Sequence, residues 1–145
     1  RHWAGEGIDI GAHTRTHPDI GKIEDRARLE DEIVTAGEDL QQFLGRPVRY
    51  FAFPFGLPAN MQPAAFELAF EAGYDGVCSA YGAYNFPGDD PFHLQRIHAD
   101  EDLLRVRNWL SVDPRKLDVP RYQYQQPTST APAARLMEPS PPIGA

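Results

Sequence analysis

His13-Thr14-Arg15-Thr16-His17, entered from Gly7-Ile8-Asp9-Ile10-Gly11-Ala12, is the stretch on which the reading of this chain turns. From Ile8 to His13 the apolar Ile8, Ile10 and Ala12 alternate with Asp9, Gly11 and His13, the period of two expected of a strand with one buried face. His13 then leaves the strand end and His17 the following turn, where Pro18 keeps the strand from running on. Barrel-type folds keep their chemistry at such strand ends. Two imidazoles four residues apart can grip one borderline divalent ion such as zinc, whose catalytic sites use about three protein ligands and an open position. The spacing alone serves two surface histidines in a polar turn equally well, and a third ligand is missing.

Outward from this stretch, strands and helices alternate. Residues 24–44 carry Leu29, Ile33, Ala36, Leu40 and Leu44 at helical spacing behind an acidic first turn, and Gly45 and Pro47 stop the helix. The aromatic-rich segment 48–53 reads as a buried strand ending at the turn Pro54-Phe55-Gly56. A second helix is expected over 62–72, packing through Phe66, Ala69 and Phe70, and another strand over 75–80. After a glycine- and proline-punctuated loop at 82–91 come a short strand at 94–98 and a final helix at 101–110, with Leu103, Leu104, Val106 and Leu110 inward. This order implies a parallel α/β sheet.

The segment GIDIGAHTRTHPDIGKI resembles the second motif of the NodB-type polysaccharide deacetylases, in which a His-Ser/Thr-x-x-His element follows a strand and supplies two of three metal ligands. Arg49-Tyr50-Phe51-Ala52-Phe53-Pro54-Phe55-Gly56 is similar to that family's third motif. The resemblance, extending less specifically to about Trp109, implies the later half of a distorted (β/α) barrel. It implies His13 and His17 as ligands of one divalent metal, most plausibly zinc, and Phe53, Pro54 and Phe55 as the substrate-binding turn. It also implies hydrolysis of N-acetyl groups on an N-acetylated carbohydrate substrate, an amino-sugar polymer or oligomer.

Such hydrolysis needs a carboxylate base for the attacking water and an acid for the departing amine. His98, in Leu94-Gln95-Arg96-Ile97-His98, is the best candidate for the acid, with Asp100 to orient it, although the family element reads Leu-x-x-His. The family's upstream Asp-Asp element, source of the base and the third ligand, has no counterpart here. Asp89-Asp90 lies too late in the chain and reads as a solvated turn, and Asp9 reads as a supporting or structural residue. Many relatives carry an arginine where Ala52 stands; Arg49 belongs to the wrong strand face, and Arg96 approaches from the next strand. Gly82, Asn85, Leu94, Arg96 and Ile97 resemble the branch acting on exopolysaccharide. His2 and His93 read as incidental. A noncatalytic carbohydrate- or metal-binding barrel fragment is the alternative.

The net charge of −7 and the absence of a clustered basic face argue against a nucleic-acid partner. No apolar run is long enough to span a bilayer. Cys78, the single cysteine, excludes an intrachain disulfide and reads as a small core residue. Six of the fourteen prolines fall after Val119, in a segment without the apolar periodicity to offset about 1–2 kcal/mol of ordering entropy per residue. The expected organisation is a partial deacetylase domain over 1–118 and a Pro-rich disordered tail over 119–145. The chain opens at Arg1 almost directly into a strand, so it reads as a piece of a longer domain.

Overall fold

The computed structural model describes residues 6–97 and 103–125. Asp25 opens the first helix by accepting a hydrogen bond from the Ala27 amide, relieving one of the unpaired N–H groups of the first turn. Helix α1 (Arg26–Glu30) runs through a π-helical turn (Asp31–Thr35) into α2 (Ala36–Leu44), which Gly45 ends at φ 70°. Strand β1 (Tyr50–Ala52), helix α3 (Pro63–Glu71), strands β2 (Gly76–Ser79) and β3 (His93–Gln95) and helix α4 (Leu103–Leu110) follow. Short 3₁₀ turns lie at Ile20–Lys22, Pro58–Asn60 and Pro114–Lys116.

The sheet is parallel, in the order β1-β2-β3, with Phe51 opposite Val77 and Val77 opposite His93. The expected first strand is reduced to a parallel bridge between Ala12 and Phe51, made by Ala12 N–H to Tyr50 O and Ala52 N–H to Ala12 O, both 2.8 Å. Among the described residues only β1 pairs with it, and Ile8 stays exposed.

Side-chain alternation sorts the sheet into two faces. Phe51, Phe53, Val77 and Ser79 are buried on the helix side, with Leu29, Ile33, Phe66 and Ala69 across from them. Each fully buried phenylalanine contributes about 1.5–3 kcal/mol. Tyr50, Ala52, Cys78 and Leu94 take the other face, only half buried. Cys78 is therefore not the core residue expected.

Two further expectations need correcting. The leucines of α4 do not point inward: Leu103, Leu104 and Leu110 are 79%, 63% and 74% exposed. Helical spacing states that one face seeks cover, not which surface supplies it. Trp109 instead anchors this helix, edge-on to Tyr84 and beneath Lys116.

Part of the segment expected as a tail from residue 119 is described, and residues 121–124 pack on the core. Tyr122 and Tyr124 stack on Phe66, and Arg121 pairs with Asp89. Two aromatic anchors outweigh a poor composition locally. Residues 126–145 lie outside the described part. Asp89 and Asp90 are likewise not a simple solvated turn. They accept hydrogen bonds from the Phe86 and Phe92 amides, and they bind Arg121 and the Tyr124 hydroxyl.

Candidate functional site

His13 and His17 come together at the end of the bridged segment, beside the C-terminal end of β1. Their ring centroids are 5.0 Å apart with planes at 77°. His13 Nδ1 lies 2.6 Å from the Ala52 carbonyl oxygen. A carbonyl only accepts, so Nδ1 carries a proton, and in the neutral ring this is the tautomer a metal-binding imidazole adopts, with Nε2 as the ligating atom. His17 sits at φ 57°, and its amide donates to the Thr14 hydroxyl at 3.0 Å, closing the turn.

The turn is held from below by the helix. Glu32, 3% exposed, accepts from the Arg15 amide at 2.9 Å, the Thr16 amide at 2.8 Å and the Thr16 hydroxyl. Burial pushes the Glu32 carboxyl up, but the Thr16 hydroxyl and the two amides outweigh it and hold the group below the usual carboxylate range. Arg15 reaches Asp39 at 2.7 Å and Asp31 at 3.2 Å, so three acids of one helix grip the two residues between Thr14 and His17. No sequence pattern singled out Glu32; its place one residue before the buried Ile33 was the available signal.

Of the Pro54 turn, only Phe55 is presented. Its ring is 56% exposed, sits at φ 60° and meets His17 edge-on at 5.0 Å. The Phe53 and Pro54 side chains are fully buried, Phe53 against Phe51 and Phe66. Ala80 N–H bonds to Gly56 O and ties this turn to a groove of about 570 Å³ lined by Leu57, Tyr81, Asn108, Trp109 and Lys116.

Arg96 spans the half-buried face and donates from Nη2 to Phe53 O at 2.5 Å, while its Nε, buried, has no partner among the described residues. Arg49 is bound to Asp75 at 2.5 Å and is not available to the site. Asn85 exchanges two 2.8 Å hydrogen bonds with the Gln95 backbone and fixes the loop before β3. His93, set aside in the sequence as incidental, is buried and lies 2.8 Å from the Ser79 hydroxyl. His98 and its neighbour Asp100 lie outside the described residues.

The pair of imidazoles at one strand end, with Nε2 of His13 free, suits a divalent ion. Among the described residues no three of His, Cys, Asp and Glu gather closely enough to hold one. A family model described as polysaccharide deacetylase matches residues 1–77, from the start of the chain through the histidine turn and the Phe53-Pro54 turn into β2.

The chain belongs to the polysaccharide deacetylase family.

Two solved structures share its fold. A protein named as a polysaccharide deacetylase of Bacillus anthracis is 21% identical with a TM-score of 0.54, the match covering 73% of this chain and 34% of that one. A de-N-acetylase from Aggregatibacter actinomycetemcomitans is 16% identical with a TM-score of 0.58, covering 75% of this chain and 50% of that one. This deacetylase-family chain thus spans half or less of each neighbour's length, and its three-stranded parallel sheet is part of their α/β fold. No curated protein matches it. Among the described residues no helix is long and apolar enough to cross a membrane.

Proposed function

We propose that this chain carries the histidine side of a metal-dependent hydrolase that removes N-acetyl groups from an amino-sugar polymer or oligomer. The observation behind this reading is the His13–Ala52 hydrogen bond, which engages Nδ1 of His13 and leaves Nε2 as the ring nitrogen for a ligand, next to His17. His13 and His17 would hold one divalent ion, zinc being the best match to two imidazoles, together with a ligand that is not among the described residues. Such an ion supplies a Lewis acid for the acetamide carbonyl and lowers the pKa of the attacking water.

The chain's own groups do the rest of the positioning. Phe55 offers an apolar edge beside His17 on which a sugar ring or an acetyl methyl rests. The neighbouring groove, within the usual 300–1,000 Å³ size range of ligand sites, is lined by Trp109 and Tyr81 together with Asn108 and Lys116, a mixture suited to a saccharide. His98 is proposed as the acid that protonates the departing amine, since an amide nitrogen leaves poorly as an anion.

The test is acetate release from N-acetylglucosamine oligomers by the intact protein, with and without a chelator, alongside bound-metal analysis. His13→Ala and His17→Ala are expected to lower metal content and activity together. Unchanged zinc stoichiometry in both variants overturns the assignment. Bound metal and saccharide without acetate release would favour the noncatalytic binding alternative.

A further inference from the structure

Among the described residues the histidine turn makes no ladder with a neighbouring strand, yet it holds two non-glycine residues, Thr14 and His17, at positive φ. Such conformations are unfavourable for residues with a Cβ and persist where surrounding contacts enforce them. The His17 amide closes the turn on the Thr14 hydroxyl, and the two residues between are held from the helix. Glu32 takes the Arg15 and Thr16 amides and the Thr16 hydroxyl, and Asp31 takes Arg15. Both acids belong to the π-helical turn.

That turn has a visible cause. The Tyr74 hydroxyl, buried, donates to the Ile33 carbonyl at 2.8 Å and occupies the space a side chain at position 37 would need, which Gly37 leaves empty. Ala36 N–H reaches back to Asp31 O, five residues earlier. The wider turn then buries Glu32, Ile33 and Val34 in succession. An α-helix advances about 100° per residue, so three consecutive residues sweep about 200° and do not share one buried face. The inserted residue resolves this: Ile33 keeps the core and Glu32 is freed to face the turn. Single π turns of this kind recur at functional sites.

We infer that Glu32 is a positioning residue, presented by the Tyr74-stabilised π turn, that fixes the backbone between His13 and His17 so that both imidazoles meet one ion. This rests on the proposed role of the two histidines as ligands. Glu32 touches neither ring; it acts through Arg15 and Thr16.

Zinc titration calorimetry on the intact protein, with amide hydrogen exchange of Arg15 and Thr16, tests it. Glu32→Ala is expected to weaken zinc binding about 10–100-fold, the usual cost of losing a residue that orients a ligand. It should also speed exchange at those two amides while β1 and β2 stay protected. Thr16→Val, which leaves both backbone donors on Glu32, should cost about fivefold, the worth of one hydrogen bond. Glu32→Gln keeps an acceptor oxygen and should recover part of the loss. Wild-type affinity and unchanged exchange in a folded Glu32→Ala overturn the inference. If that variant fails to fold, wild-type behaviour in both Glu32→Gln and Thr16→Val does so instead. Should His13→Ala and His17→Ala leave zinc binding untouched, the ligand reading fails, whereas the exchange measurement still decides whether Glu32 orders the turn.

Discussion

Tyr124 stacks on Phe66 with ring centroids 4.0 Å apart and planes 25° from parallel, joining the far end of the described chain to the middle of α3. The Tyr124 hydroxyl is held by Asp90, and Tyr122 stacks on the same Phe66 at 5.5 Å.

Tyr124→Ala removes a stacked ring from a partly buried place and is expected to cost about 2 kcal/mol. For a domain of this size that lowers Tm by roughly 5–10 °C, readable by thermal unfolding. A shift under about 2 °C would mean that residues 121–124 rest on the core without stabilising it.

Gly37→Ala should be costly for a reason confined to one partner. The added methyl collides with the Tyr74 hydroxyl, whose bond to Ile33 O holds the π turn. Overpacking of this kind costs about 1–3 kcal/mol. Tyr74→Phe in the same chain should make the penalty smaller, so the double mutant is less destabilised than the sum of the single ones. Simple additivity in denaturant unfolding would contradict the clash.

His93 makes stability depend on pH. Burial lowers it to about 4, with Asp90 raising and Arg121 lowering it further. In the unfolded chain an imidazole protonates near 6.5, so between about 6.5 and 4 the unfolded state binds more protons and stability falls as pH falls. The full effect is on the order of 2–3 kcal/mol. His93→Gln, which has no such titration, should flatten that part of the curve measured by urea unfolding.

Cys78 reports on Arg96. Burial pushes the thiol up, while the Arg96 charge partly offsets this. Arg96→Gln is therefore expected to raise the thiol pKa further and slow alkylation by iodoacetamide at pH 8. Faster alkylation with unchanged stability would place the guanidinium away from the sulfur.

Elements with a clear period were legible in the sequence. The helix expected over 24–44 is found from Arg26 to Leu44, and β1, α3 and β2 lie within the expected ranges. Hydrophobic period reports which face is buried, and these faces meet one another. The π turn was not legible, because its cause, the Tyr74 hydroxyl at Gly37, is a contact between residues far apart in the chain. The docking of Tyr122 and Tyr124 escaped for a related reason: composition averages over a segment, and two anchors decide it. In the candidate site, motif spacing points to His13 and His17, which stand together, whereas strand alternation turns the Phe53 side chain into the core. Glu32 contributes through backbone amides, which no side-chain pattern can advertise.

The strand order β1-β2-β3 also has a consequence for biosynthesis. Each strand is laid beside the one that emerged just before it, on the same growing edge, so no strand must wait for a later one to be inserted between. At about 5–20 residues per second of translation, β3 follows β1 by a few seconds. The sheet can therefore be assembled vectorially on the ribosome. The histidine turn finds its first docking partner in Glu32 as α1 and the π turn emerge, and Ala52 joins it once β1 appears.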